Sequence, residues 1–303
     1  MKNTEGHYYT EEACLDTPPP EVLKLFPEHT TLNIKNNGHS QTSYLATESQ
    51  FSFPYHGEWY KKVRVEAGGF LRIDERQFAV IEVLAGDGTS ATIQIFNNDH
   101  VFAVKWENLT VYSNGEPYHA SVLCTIDPKG TISFYYMNIP NGVYNETLKS
   151  SIEDGFKQDV DAEHPKIFQY SLMTVPRFVI KTGTSVYLKP KSTYCSKQTS
   201  KEACEKASLP GIRCNWCQLA EKCSDGADTN AWVTGKYNCT EYNDFKSEDN
   251  EMHDQGVVEC RNVGSFSQPT VLVIYALMVA SIILMIIAIS FLGKTKSQNT
   301  NQK

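Results

Sequence analysis

The sequence predicts a mainly β protein: an antiparallel sheet ectodomain, sandwich or barrel-like, then a small disulfide-rich module and one transmembrane α-helix. Three observations carry that expectation. Short runs between Phe51 and Leu188 alternate apolar and polar residues with period two, with Gly, Pro, Asn and Asp between them. Of nine cysteines, all but Cys14 and Cys124 crowd into residues 195–260. Val271 to Leu292 is an unbroken stretch without charge or proline, and at about 1.5 Å of helical rise per residue it covers a hydrocarbon core ~30 Å thick.

Residues 1–50 read as a leader or linker, because Pro18-Pro19-Pro20 and Asn36-Asn37-Gly38 interrupt any period. The opening stretch also lacks the apolar core of a signal peptide, so the natural chain is expected to begin upstream of Met1. Residues 51–190 read as the β domain. Val63 and Val65 alternate with charges, and Gly68-Gly69 then turns the chain into Phe70-Leu71-Arg72-Ile73. Ile93 and Ile95 flank Gln94, and the next strand, with Phe102, Val104 and Trp106 on one face, is expected to end at Glu107-Asn108. The longest stripe is Tyr118, Ala120, Val122, Cys124 and Ile126, closed by the turn Asp127-Pro128-Lys129-Gly130 and answered by Ile132, Phe134 and Tyr136.

After Asn141-Gly142 a polar, acidic segment is expected to run to about His164. Sheet character resumes at Ile167-Phe168-Gln169-Tyr170, Phe178-Val179-Ile180 and Val186-Tyr187-Leu188, and Lys189-Pro190-Lys191 marks the boundary with the cysteine-rich module and its acidic stalk, residues 194–260. The acidic run Ser247 to Asp254 lacks EF-hand spacing and reads as a solvated stalk rather than a calcium site.

The flanks orient the apolar run. Lys294, Lys296 and Lys303 follow it while the nearest positive charge before it is Arg261, which puts residues 293–303 in the cytoplasm and the ectodomain outside the plasma membrane, in type I orientation. Outside the cell thiols are oxidised, so clustered cysteines favour disulfides over a zinc site on Cys214 and Cys217. Cys124 reads either as a buried free thiol or as a partner of Cys14 or Cys260. A formal net charge of -7 without a basic stripe excludes nucleic acid.

The segment Cys195…Cys204…Cys214-Asn-Trp-Cys217…Cys223-Ser-Asp-Gly…Trp232…Cys239 resembles a PSI module. Phe51-Ser52-Phe53-Pro54-Tyr55, Gly68-Gly69-Phe70, Phe102 to Trp106, Ser121 to Phe134 and Ile167 to Tyr170 resemble a nidogen-like region. In this order, with one membrane helix, they resemble the plexin domain-containing proteins, the tumour endothelial marker 7 family. The resemblance implies the pairs Cys195 with Cys214, Cys204 with Cys223, and Cys217 with Cys239. Lys201 stands where the family has its second cysteine, which leaves Cys260 for Cys14 or for a dimer. Trp216, Leu219, Trp232 and Phe245 are the module's main apolar side chains, and the two tryptophans are expected in its core.

Asn108, Asn145 and Asn238 open glycosylation sequons, consistent with a glycoprotein. No G-x-S-x-G, H-E-x-x-H or P-loop is present, so neither enzyme activity nor a catalytic, cofactor or metal residue is expected. The resemblance implies a single-pass receptor-like protein that binds a secreted or extracellular-matrix ligand, such as pigment epithelium-derived factor or a basement-membrane component. The alternative is a non-signalling cell-matrix adhesion or structural glycoprotein, which the short tail favours. Membrane lipid is the other partner expected, beside the dimer that Cys260 leaves open.

Overall fold

Period-two alternation needs two sheets to bury its apolar faces against each other, and that is the arrangement of the chain. The computed structural model describes residues 8–26, 44–74, 78–143, 147–158, 166–208, 213–226 and 228–239. All of these lie in one compact unit, Met1–Glu259.

The strands are β1 (Tyr9–Cys14), β2 (Tyr44–Tyr55), β3 (Glu58–Glu66), β4 (Phe70–Ile73), β5 (Val80–Glu82), β6 (Thr92–Asn97) and β7 (Phe102–Ser113). They continue as β8 (Glu116–Ile126), β9 (Ile132–Asn138), β10 (Ser151–Gln158), β11 (Lys166–Thr174) and β12 (Thr184–Pro190). The first sheet has the order β1-β12-β9-β8-β7-β6 and the second β11-β10-β5-β4-β3-β2, with every pair antiparallel. The expected antiparallel β class is therefore present, in its sandwich form.

The core lies between the sheets. Phe53, Tyr55, Leu71, Ile73 and Ile81 of the second sheet meet Phe102, Trp106, Val122, Phe134 and Tyr136 of the first, all fully buried. The polar ends of its largest members find partners. Trp106 donates its indole N–H to the Glu66 carbonyl at 2.9 Å, Tyr55 donates to the Glu153 carbonyl at 2.7 Å, and Tyr136 donates to Ser150 at 2.9 Å. One flank is stitched by Asn97, which accepts from the Gln50 N–H and donates to the Glu48 carbonyl, joining the end of β6 to β2.

Several expectations change. Tyr9–Cys14, assigned to a leader, pairs along β12 as an edge strand, from Tyr9 opposite Pro190 to Cys14 opposite Ser185. Its buried positions Tyr9, Ala13 and Cys14 do not alternate, which hides the strand from a period-two reading. The strand expected to stop at Asn108 runs on to Ser113 through a bulge between Trp106 and Leu109, where Asn108 takes a left-handed φ of 58°. The acidic segment before His164 contains β10, which pairs with both β5 and β11. Phe178-Val179 lies in a 3-10 turn, Arg177–Val179, rather than a strand.

The two outer faces differ. A 3-10 turn at Glu21–Leu25, followed by Phe26, covers the first sheet: Phe26 packs with Ala103, Leu123 and Tyr135, and Val22 and Leu23 join them. The second sheet carries charge there, described below. Among the described residues no helix is long and apolar enough to cross a membrane; Val271 to Leu292 and Cys260 lie outside them.

Candidate functional site

The cysteine module begins as β12 ends. It consists of α1 (Lys201–Lys206), the hairpin β13 (Asn215–Cys217) with β14 (Lys222–Ser224), and α2 (Ala231–Lys236). Ser200 caps α1 by accepting from the Ala203 N–H at 3.2 Å. Cys195 bonds Cys214, Cys204 bonds Cys223 and Cys217 bonds Cys239, with Cα separations of 5.3, 5.6 and 5.4 Å. The same three pairs follow from the PSI resemblance. The buried cluster is Cys195, Cys204, Ala207, Cys214 and Cys223, with Trp216 half-buried against it. Leu219, one of the module's few large apolar side chains, is 71 % exposed at the hairpin tip, and Phe245 lies outside the described residues.

A junction fixes this module to the sandwich. The β2–β3 hairpin turns through His56 and Gly57 with φ of 45° and 90°, the pattern of a two-residue type I′ turn. A Cβ on Gly57 would lie 2.8 Å from the Tyr194 hydroxyl, so glycine is needed for its backbone and for the approach of the module's first residues. Tyr8 stacks edge-on against His56 at 4.9 Å and reaches into the module. Its hydroxyl accepts from the Thr229 N–H at 3.0 Å and lies 3.2 Å from the Ser196 hydroxyl. Burial raises the Tyr8 pKa well above the usual phenol value.

Asp228 organises the far side of this junction. One carboxylate oxygen accepts from the Ser224 hydroxyl at 2.7 Å and from the Asn230 N–H at 3.0 Å; the other accepts from the Asp225 N–H at 3.3 Å. Burial, reinforced by the Asp225 charge, pushes its pKa up to about 7. The Cys195 sulfur also lies beside Asp225 and Asp228, but it is bonded to Cys214 and offers no thiolate to a metal.

The second sheet presents the other feature. Cross-strand register lines up Ala46, Arg64, Arg72, Val80, Glu153 and Leu172 on its outer face, and beside them Glu66, Phe70, Glu82, Ser151 and Thr174. Two arginines directly opposite each other repel. Each is answered locally: Arg64 by Asp74, and Arg72 by Glu66 at 2.6 Å. Glu82 pairs with Lys149 at 2.9 Å and accepts from Ser151. A bulge between Asp154 and Gly155 breaks the β10–β11 register, and there a cleft of about 260 Å³ opens between Arg72, Phe78, Val80, Glu153 and Gln169. Burial raises the Glu153 pKa, opposed by Lys149 and Arg72.

Of the sequons, Asn108 is exposed on the β7 bulge and Asn238 is exposed just past α2, both with left-handed φ, while Asn145 lies outside the described residues. Cys124 is a buried free thiol whose pKa burial raises, and Cys14 is disulfide-bonded. His56 Nε2 lies 2.8 Å from the Ser171 hydroxyl, with the pair only 1 % and 6 % exposed, so the contact is an interior one.

The junction and the ladder both escaped the sequence reading. Arg64 and Arg72 were visible as charges alternating with valine, leucine and isoleucine, but their neighbours in space depend on strand order. Compared with known proteins, the chain matches no family model and no solved structure.

Proposed function

We propose that this chain is a single-pass type I protein of the cell surface, of the plexin domain-containing kind, whose β-sandwich binds a secreted or matrix ligand. One observation carries the reading most of the way: the module's interior is built from disulfides. Four of its five buried cluster residues are bridged cysteines, so the module depends on an oxidising compartment to hold its shape. The apolar run Val271 to Leu292, followed by lysines, supplies the anchor in this reading. The outer face of the second sheet, on which no turn like that of Phe26 packs among the described residues, is the ligand surface in this reading, because the first sheet's outer face already packs against Phe26 and its turn.

The test uses the full chain on intact cells. An epitope placed before Tyr8 is removed by added protease and the protein stays in the membrane pellet after a carbonate wash. Protection of the epitope, or release by carbonate, contradicts the reading. Pull-down with pigment epithelium-derived factor and with laminin and nidogen then separates a receptor from an adhesion protein: binding to the matrix proteins alone favours adhesion.

A further inference from the structure

On the outer face of the second sheet, three carboxylates have a cation. Glu66 has Arg72, Asp74 has Arg64 and Glu82 has Lys149. Glu153 sits in the same ladder and differs. Its partner is the Gln169 side-chain amide at 2.5 Å, a neutral donor, and among the described residues it makes no ion pair. It borders the cleft, whose other walls are Phe78 and Val80 on the apolar side and, on the polar side, Gln169, the buried Asp154 with Gly155, and Arg72, already engaged by Glu66.

A cleft of this make-up matches a long side chain with a methylene stem and a cationic end. The stem lies along apolar surface while the charge meets a carboxylate. An acidic group would instead meet Glu153 itself. The chain's formal net charge of -7 adds long-range attraction for a basic partner. We infer that the cleft beside Glu153 receives a lysine or arginine side chain of an extracellular protein partner, with its stem on Phe78 and Val80. The inference rests on the sandwich being the ligand-contact region. Burial favours the protonated form of Glu153, and an arriving cation reverses that bias, so binding strengthens as pH rises.

Full-length chain in detergent micelles is titrated with acetyl-Gly-Arg-Gly-amide, acetyl-Gly-Lys-Gly-amide and acetyl-Gly-Asp-Gly-amide. The basic peptides saturate with a Kd on the order of 1 mM, as single-residue contacts do, and the acidic peptide does not. Glu153→Gln weakens the basic peptides about tenfold, the loss of one charge-assisted contact. Phe78→Ala, which leaves the charges in place, weakens them about threefold through lost stem contact. Glu116→Gln, on the other sheet, changes nothing. Absence of saturation by the basic peptides, unchanged affinity in Glu153→Gln, or binding of the acidic peptide that Arg72→Gln abolishes overturns the inference. These readings come from purified chain, so they stand or fall separately from the epitope exposure measured on cells.

Discussion

The sandwich interior is filled by Trp106, Tyr136, Phe53, Phe102 and Phe134, whereas the apolar interior of the cysteine module holds Cys195, Cys204, Cys214, Cys217 and Cys223 with the small Ala207 and Ala231. The first is stabilised by apolar area removed from water, at roughly 25 cal/mol per Å². The second is too small for that. Its bridges close loops with a sequence separation of 19 or 22 residues and act by restricting the unfolded chain, by about 3 kcal/mol each. One compact unit therefore contains two kinds of stability, and they respond to different insults.

The comparison breaks most visibly at Trp106. Trp106→Ala removes the largest buried side chain and its bond to Glu66, and should cost about 3–5 kcal/mol. A lowered denaturation midpoint with all three bridges still mapped by non-reducing mass spectrometry is expected; loss of the bridges as well would show that the module cannot form without the sandwich. The paired change Cys204→Ser with Cys223→Ser does the converse. It should cost about 3 kcal/mol, open the module to protease near Lys206 and leave the sheet signal in circular dichroism intact.

Gly57→Ala sharpens the picture by striking the junction. An alanine must hold φ near 90° and crowd Tyr194, at a cost of about 1–3 kcal/mol. Both regions should then lose protection together, read as faster cleavage in each. The most gradual effect is on pH, spread over several units. Asp228 has a folded pKa raised to about 7 against about 3.9 unfolded, so the fold holds more protons than the unfolded chain in that window. Stability therefore rises as pH falls from about 7 towards about 4, by no more than about 1.4 kcal/mol per pH unit. Asp228→Asn should flatten that part of the profile of thermal midpoint against pH; an unchanged slope would assign it elsewhere.

Much of the sandwich was legible because alternation is a local signal. Val63 and Val65, Phe102 to Trp106 and Val122 to Ile126 declare their buried faces within a few residues. What was illegible depended on distant partners. β1 owes its place to β12, more than half the chain away, and Ser151–Gln158 forms a strand only because β5 and β11 flank it. The bulge at Asn108 looked like an end, since the polar pair Glu107-Asn108 interrupts the apolar alternation, yet Leu109 and Val111 re-enter the core beyond it. In the module the cysteines announced a disulfide framework, but spacing alone leaves connectivity open, and the pairing came from resemblance. The junction through Tyr8, Gly57 and Tyr194 gave no sequence signal, because its members lie far apart in the chain.

Hydrogen exchange of the full chain, before and after reduction under native conditions, tests the central contrast most directly. Amides from Cys195 to Cys239 should lose protection on reduction while those from Phe102 to Asn138 keep it. Equal protection of both segments after reduction, or their simultaneous loss, would contradict the division between an apolar sandwich and a bridge-dependent module.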